Sequence, residues 1–287
     1  MESWTSRFDA FVARKTQAAG AARIPGYRQI AGGDTSGLES VDSEWTSRLF
    51  DGPFFESPIP AGSLPSVNAV FVQSADGNTG ARTPSDLGGG ETDLHLIYEG
   101  LSRVRAHAVM AGAATIRGSQ MVLSVWHPEL VRLRDQFGLP RHPAQIVATR
   151  TGRLGIESGL MFNVPDVPVF ILTTLEGAQS LEPPVDERPW ITIISAPAET
   201  LLVDGLRRLR TGWEMRRVSC IGGRSLATDL LEAGAVQDIY LTTSAHRGGE
   251  PGTPFYTGSK PLQTTCALKK AGRSEEAGVV FEHLRAR

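Results

Sequence analysis

The chain has little of what marks secreted, metal-stapled or disulfide-bonded proteins. Its 287 residues include only two cysteines, Cys220 and Cys266. Neither belongs to a CxxC pair, and no cluster of Cys and His has zinc-binding spacing. A disulfide framework and a structural zinc site are therefore not expected, and no metal is predicted. So few cysteines fit a reducing compartment such as the cytoplasm.

Strong charge and long apolar runs are also missing. Lys and Arg number 29 against 31 Asp and Glu, so the formal net charge is -2. A clustered basic face for nucleic acid or a membrane surface is not expected. No apolar run approaches the roughly 18 residues of a membrane span, and residues 1–15 lack the apolar centre of a secretory signal. The composition favours a cytoplasmic protein that acts on a small molecule.

Three common catalytic patterns are absent as well. No Gly-x-Ser-x-Gly nucleophile motif occurs, and no P-loop occurs. The six histidines are scattered, with no pair at metal-ligand spacing. Any chemistry must therefore come from another arrangement.

What the sequence does contain is an alternation of strands and helices after residue 65. Strands are predicted at 66–74, 107–112, 144–149, 167–174, 190–196, 218–221, 238–244 and 279–284, and helices at 92–105, 199–210 and 225–233. This order predicts an α/β fold with a mostly parallel central sheet and helices on both faces. Residues 1–65 are rich in Pro and Gly around one short helix, so they are predicted to be an N-terminal extension to a main domain at 66–287.

Ligands of such sheets bind beyond the carboxyl ends of the strands, where this chain has polar, glycine-bearing turns. Asp76 stands at the tip of the first strand, although an ordinary Asp-Gly turn is the favoured interpretation of these residues taken alone. Residues 112–117 follow a second strand. Small residues from Gly112 onward let a ligand approach the backbone, and Arg117 offers a forked donor for phosphate.

Residues 221–226 form the strongest predicted anion site. Gly222 and Gly223 remove side chains at a helix start, where backbone N–H groups and a partial positive charge favour phosphate, and Arg224 and Ser225 add donors. The alternative is a tight strand-to-helix turn with Ser225 as N-cap. Arg103 is a candidate anchor for a substrate phosphate, or a solvated surface charge.

Four segments, taken in order, resemble one enzyme family. Gln-Ser-Ala-Asp-Gly at 73–77 is similar to a Ser-Leu-Asp-Gly signature, and 102–117 is similar to a Leu-Arg-Ala…Asp-Ala-Val…Gly-x-x-Thr-x-Arg stretch. Residues 221–226 resemble a Glu-Gly-Gly-Pro-Thr-Leu loop, and 236–243 resemble the Val-Asp-Glu-Leu strand that follows it. Over about 66–285 the chain thus resembles the RibD C-terminal reductase family, a branch of the dihydrofolate reductase-like fold.

The resemblance implies hydride transfer from NADPH to 5-amino-6-(5-phosphoribosylamino)uracil in riboflavin biosynthesis, by a homodimer. The resemblance places Asp76 at the junction of cofactor and substrate, as the implied catalytic residue. Either Asp76 or an ordered water is expected to assist the proton transfer. The resemblance and the two glycine turns together predict these cofactor contacts: Gln73, Gly112, Thr115, Arg117, Arg150, Gly222, Gly223, Arg224, Ser225 and Leu226. The resemblance extends the last segment to the whole stretch Gly223–Asp229. The implied substrate contacts are Arg103, Leu123 and Ile221.

The chain departs from the family pattern at two places on the substrate side. Ile221 replaces a Glu, and Ser119-Gln120 replaces an Asp-Asp or Asp-Asn pair. Each lost carboxylate leaves donors of a polar substrate unpaired, at a cost of about 1–3 kcal/mol. Three hypotheses therefore stay open: the riboflavin-pathway reductase, an NADPH-dependent reductase of another small heterocycle or carbonyl compound, and a non-catalytic nucleotide-binding protein.

Overall fold

The computed structural model describes residues 3–81, 84–117, 120–273, 276 and 278–286. The strands are β1 (Tyr27–Gly32), β2 (Glu39–Val41), β3 (Phe54–Glu56), β4 (Ser66–Gln73), β5 (Ala108–Gly112), β6 (Ala144–Ala148), β7 (Val169–Thr173), β8 (Ile191–Ser195), β9 (Arg217–Cys220), β10 (Asp238–Thr243), β11 (Thr264–Gly272) and β12 (Val280–Ala286). In the described part of the chain, ten of them form one sheet in the order β1-β11-β12-β10-β4-β9-β5-β6-β7-β8, and β2 pairs with β3.

The helices are α1 (Trp4–Ala21), α2 (Glu44–Phe50), α3 (Gly90–Thr92), α4 (Ala113–Ile116), α5 (Pro128–Gln136), α6 (Leu175–Val185), α7 (Leu201–Gly212) and α8 (Arg224–Glu232). A π-helix (Asp93–Leu101) continues directly from α3, and short 3-10 turns occupy Pro84–Leu87 and Leu160–Asn163. These elements surround the sheet and set the walls of the cavities described below.

The sheet is mostly parallel, as predicted. Neighbouring strands from β10 through β8 all run parallel, and only the β1, β11 and β12 edge is antiparallel. Strand β4 is buried along almost its whole length, as expected of a central parallel strand. Its side chains alternate between faces: Val67 and Phe71 pack with the leucines of α7 and α8, whereas Val70 packs with the π-helix. The predicted helices on both faces are thereby confirmed.

The first 64 residues contribute more structure than one short helix. Strand β1 pairs with β11 at the edge of the main sheet. Tyr27 of β1 is fully buried, with its ring centroid 5.9 Å from that of Phe281. Arg217 of β9 donates to Glu39 of β2 over 2.8 Å. The division of the chain at residue 65 stays a prediction; in space, β1 belongs to the main sheet.

Two local predictions were wrong, and one alternative interpretation does not hold. The helix expected at 92–105 is mainly a π-helix that ends at Leu101, closed by the Ser102 amide donating to the Ile97 carbonyl over 2.9 Å. The spacing of Leu94, Ile97, Leu101 and Val104 predicts that all four share one buried face of an α-helix. Because π winding places more residues in each turn than α winding, Leu94 lies off that face and is 41% exposed. Ser225 does not cap α8; the N-cap is Gly223.

Candidate active site between two glycine turns

The turns after β5 and β9 meet at one edge of the sheet. The two strands are parallel neighbours, so the turns that follow them lie at the same end of the sheet. The Gly112 amide donates to the Gly222 carbonyl over 3.2 Å, and the Ile221 amide donates to the Met110 carbonyl over 3.0 Å. The two turns are therefore joined by backbone hydrogen bonds and face each other.

Glycine is required in the second turn by the backbone conformation. Gly222 and Gly223 have φ values of 120° and 81°, which L side chains rarely adopt. A Cβ on Gly223 would lie 3.6 Å from Thr115 Oγ1 and 3.7 Å from the Gly112 Cα, in the gap between the turns. No side-chain hydrogen bond caps α8 in the described structure. The first turn of α8 thus presents backbone donors to an open space, which suits an anion.

A first cavity, here named the α8 cavity, lies on one side of the turns. It measures about 660 Å³ and is lined by the turns, the end of β6, the start of α7 and one face of α8. This volume is within the range of about 300–1,000 Å³ that small-molecule sites occupy. Arg150 stands at its rim, 73% exposed, with Nη2 3.3 Å from Asp229 Oδ2. Arg224 is a second cation on its wall.

A second cavity, here named the α1 cavity, adjoins the first. It measures about 720 Å³ and is lined by α1, the π-helix and residues 121–126. Ala114, Gly223 and Arg224 line both cavities. The glycine turns therefore form the partition between two adjoining ligand-sized spaces.

Arg103 is the buried cation of the α1 cavity. Its side chain is 6% exposed, Nη1 donates to the Ser124 carbonyl over 3.1 Å, and the guanidinium carbon lies 5.4 Å from the Tyr98 ring centroid. Burial lowers the pKa of Arg103, although Glu99 and Tyr98 oppose that shift. The Nε atom is buried with no hydrogen-bond partner among the described residues. An arginine in this state is suited to an anionic group entering the cavity.

The structure brings most predicted site residues together. Gly112, Arg150, Gly223, Arg224, Ser225 and Leu226 line the α8 cavity. Arg103, Thr115, Leu123, Ile221 and Gly222 line the α1 cavity. The predicted cofactor and substrate contacts thus separate into two neighbouring spaces, except that Thr115 and Gly222 lie on the predicted substrate side.

Three predicted residues lie outside both cavities. The Asp76 carboxylate accepts from the Gly248 amide over 2.9 Å and lies 3.2 Å from Arg247 Nη1. Gln73 donates to Thr243 Oγ1 over 3.0 Å, and Arg117 is exposed. Their assigned roles stay predictions. Ser119, one of the two departures from the family pattern, lies outside the described residues.

Sequence reasoning missed the part of the α1 cavity that is built from α1 and the π-helix. Phe11 and Lys15 reach it from α1, and His95 and Glu99 reach it from the π-helix. The signal available for the second pair was the Glu-x3-His-x3-Glu spacing of Glu91, His95 and Glu99, which puts three titratable groups on one side of a helix. Nothing in the sequence of α1 showed where that helix would pack.

Within the described ranges, no group of three or more His, Cys, Asp or Glu is arranged to hold a metal ion. Among the helices that the structure describes, none is long and apolar enough to cross a membrane.

The comparison with protein families decides the assignment of the chain. The model of the RibD C-terminal domain matches residues 65–279, well over half of the sequence. The chain belongs to the RibD C-terminal domain family. This is a reductase family, so the protein is an oxidoreductase. A search of curated protein sequences gives no significant match.

Solved structures share the fold at low sequence identity. A pyrimidine reductase-like protein from Corynebacterium diphtheriae superposes with a TM-score of 0.59 at 20% identity, over 78% of this chain and 92% of that one. RibD of Acinetobacter baumannii gives 0.58 at 16%, over 79% and 59%. The riboflavin biosynthesis reductase Rib7 of Saccharomyces cerevisiae gives 0.54 at 16%, over 80% and 93%. These similarities support the fold of a RibD-type pyrimidine reductase.

Proposed function

We propose that this RibD C-terminal domain protein is an NADPH-dependent pyrimidine reductase. The observation that carries the proposal is the joined pair of glycine turns, linked from the Gly112 amide to the Gly222 carbonyl, between two adjoining cavities. One space is then available for a dinucleotide and the next for the molecule to be reduced. A Cβ on Gly223 would enter the gap between the turns, 3.6 Å from Thr115 Oγ1 and 3.7 Å from the Leu226 Cβ. Glycine leaves that gap open, so the site fits a phosphate-bearing cofactor.

In the α8 cavity, the protein supplies the groups that would bind the dinucleotide. Backbone donors at the start of α8 suit the pyrophosphate. Arg150 and Arg224 are the cations available for the additional phosphate of NADPH. When bound, the cofactor supplies a hydride, and the protein orients the partners and excludes water.

In the α1 cavity, the proposed substrate is 5-amino-6-(5-phosphoribosylamino)uracil. This compound appears in the name of a bifunctional deaminase and reductase from Thermotoga maritima. The structure of that enzyme superposes with a TM-score of 0.52 at 16% identity, over 78% of this chain and 57% of that one. Arg103 is the buried cation that suits its phosphate.

Ile221 favours a second candidate within the same reaction class. It is half-buried on the wall of the α1 cavity, and an apolar side chain there cannot accept hydrogen bonds from a polar pyrimidine. The second candidate is therefore an NADPH-dependent reductase of a less polar heterocycle or carbonyl compound.

Cofactor titration tests the first half of the proposal. We expect NADPH to bind more tightly than NADH, and Arg150→Ala to weaken NADPH severalfold while leaving NADH unchanged. The effect is small because Arg150 is mostly exposed, where a charge contact contributes about 0–1 kcal/mol. Arg153→Ala, a change at an exposed arginine outside both cavities, is the matched control. Fluorescence titration of all three proteins measures the affinities.

Turnover tests the second half. Consumption of NADPH with 5-amino-6-(5-phosphoribosylamino)uracil would support the pathway reductase, and consumption only with an apolar heterocycle or carbonyl panel would support the second candidate. Binding of NADPH without any turnover would leave the non-catalytic nucleotide-binding protein. Absence of NADPH binding would reject both reductase candidates.

The homodimer and the cytoplasmic location remain part of the proposal. Their support is the family resemblance and the composition, with two cysteines and a small net charge. Light scattering of the purified chain is expected to give twice the monomer mass of 30.9 kDa.

A further inference from the structure

Helix α3 and the π-helix that continues from it place one histidine between two glutamates on the wall of the α1 cavity. His95, Glu91 and Glu99 all line this space. His95 Nε2 lies 3.2 Å from Glu91 Oε2, and Nδ1 lies 3.4 Å from Glu99 Oε2. The side chains of His95 and Glu99 are 4% and 3% exposed, whereas that of Glu91 is 53% exposed. A chain of titratable groups therefore connects solvent with the cavity.

The buried end of this chain is fixed by a different element. Glu99 Oε2 accepts hydrogen bonds from the backbone amides of Trp126 and His127, over 3.0 and 3.2 Å. These bonds offset the cost of burying a carboxylate. Because the segment at the start of α5 holds Glu99, the imidazole beside it has a defined orientation toward the cavity.

The surroundings favour a proton on this imidazole. Burial alone would lower the pKa of His95, but the hydrogen bonds and charges of Glu99 and Glu91 outweigh burial and raise it. From α5, the ring of His127 faces His95 with 5.7 Å between centroids. Burial and then the charge of His95 lower the pKa of His127. Lys15 of α1 and Arg103 are the other cations on the cavity wall outside the glycine turns.

We propose that His95 donates the proton that completes the reduction, that Glu91 restores this proton from solvent, and that Glu99 is a positioning residue for the imidazole. The inference rests on the proposed reductase function and deepens it. Asp76 is the alternative donor, but its carboxylate is bonded to Gly248 and lies outside the cavity.

The step balances with the hydride that the bound cofactor supplies. As the substrate carbon takes the hydride, the π electron pair of its double bond to nitrogen or oxygen moves onto that heteroatom. The heteroatom forms a bond to hydrogen while the Nε2–H bond of the His95 imidazolium breaks. Nε2 is the nitrogen 3.2 Å from Glu91 Oε2, which returns a proton to it. The carbon is reduced, the nicotinamide is oxidised, and His95 stays neutral until a proton arrives through Glu91.

Kinetics of the full-length chain tests the donor. With 5-amino-6-(5-phosphoribosylamino)uracil and NADPH, His95→Gln is expected to lower kcat about a hundredfold, since general acid catalysis typically contributes about 10²–10⁴. The affinity for NADPH, measured by fluorescence, should not change, because His95 lies outside the α8 cavity. His246→Gln, at an exposed histidine outside both cavities, is the matched control.

The pH profile separates proton donation from a structural role. Wild-type kcat should be constant at low pH and fall as the pH rises above the pKa of His95, because the donor must be protonated. This alkaline limb should be missing in His95→Gln and should move to lower pH in Glu99→Gln. A correctly folded His95→Gln variant with wild-type kcat and an unchanged profile would overturn the proposal.

Nitrogen-15 NMR of the histidine rings gives a readout that needs no cofactor and no substrate. His95 is expected to keep its proton to a higher pH than an ordinary histidine, because Glu99 and Glu91 raise its pKa, and to become neutral at lower pH in Glu99→Gln than in the wild type. A His95 that loses its proton at the pH of an ordinary histidine, or below it, overturns the proton-donor role even if the enzyme turns over. If wild-type protein oxidises NADPH with neither class of substrate, the proposed function is rejected and the donor role is rejected with it.

Discussion

The two cavities that adjoin the glycine turns differ in what lines them: mainly backbone in the α8 cavity and buried side chains in the α1 cavity. The α8 cavity is formed largely by backbone turns, one helix start and exposed charges such as Arg150. The α1 cavity is formed by buried side chains, including Phe11, Arg103, His95 and Glu99, from elements far apart in sequence. A site made of backbone tolerates change in most side chains, whereas a site made of buried side chains changes its chemistry with each of them. It follows that the chemistry of the α1 cavity can vary through its side chains while the glycine turns beside it stay the same.

The largest difference between the two cavities is expected from a substitution in α1. Phe11 is 5% exposed and packs edge-on against Trp126, with ring centroids 5.4 Å apart. Phe11→Ala should lower the free energy of unfolding by about 3–5 kcal/mol, the usual cost of emptying a buried Phe position. It should raise the substrate KM and leave the Kd of NADPH unchanged, because Phe11 lies outside the α8 cavity.

Denaturant unfolding and NADPH titration measure these two quantities. The matched control is Phe137→Ala at a side chain that is 41% exposed, where a loss within about 0.5 kcal/mol is expected. Equal losses of NADPH affinity and substrate affinity in Phe11→Ala would contradict the prediction that the two ligands bind in separate cavities.

The next effect concerns Asp93, a buried carboxyl group in the helix that lines the α1 cavity. Asp93 begins the π-helix and accepts a hydrogen bond from Thr242 Oγ1. Burial raises its pKa to about 7, while the Thr242 bond opposes the shift. The folded state therefore retains a proton that the unfolded chain loses, so this contribution to stability is complete below the ordinary Asp pKa of 3.8 and is lost as pH rises to about 7.

Asp93→Asn removes that titration. We expect the variant to match the wild type at about pH 4 and to exceed it by up to about 4 kcal/mol above pH 7, since the shift from 3.8 to about 7 corresponds to about 1.36 kcal/mol for each pKa unit. Urea midpoints across this range measure the difference, with the exposed Asp135→Asn as control. A stability difference between Asp93→Asn and the wild type that does not change with pH would contradict the raised pKa of Asp93.

The smallest of the three effects probes the backbone side. Gly223→Ala adds a methyl group in the gap between the turns, at a φ of 81° that alanine disfavours. NADPH affinity should fall tenfold to a hundredfold, or about 1.4–2.8 kcal/mol. Gly212→Ala, where a Cβ meets no atom within 4 Å, should bind NADPH normally. Unchanged NADPH affinity in Gly223→Ala would show that the turns do not hold the cofactor.

The same contrast explains what the sequence could predict. The turn at 221–226 was identifiable because its signals are local: a strand, two glycines and a helix start within a few residues. The α1 cavity was not identifiable, because Phe11 and Glu99 meet Trp126 only after folding. Helix α6 was missed because Pro183 and Pro184 in its sequence argue against a helix, and the burial of Leu94 was mispredicted because π winding changes which side chains face inward.

The pairing of β1 with β11 has a consequence for how the chain is made. Tyr27 lies opposite Gly272 in this ladder, so the two strands are separated by almost the whole polypeptide. During synthesis the first strand cannot pair until the residues of β11 have left the ribosome. The long loop closure makes this edge a late and slow step of folding, and until then Tyr27 and the apolar face of α1 need protection from association with other chains.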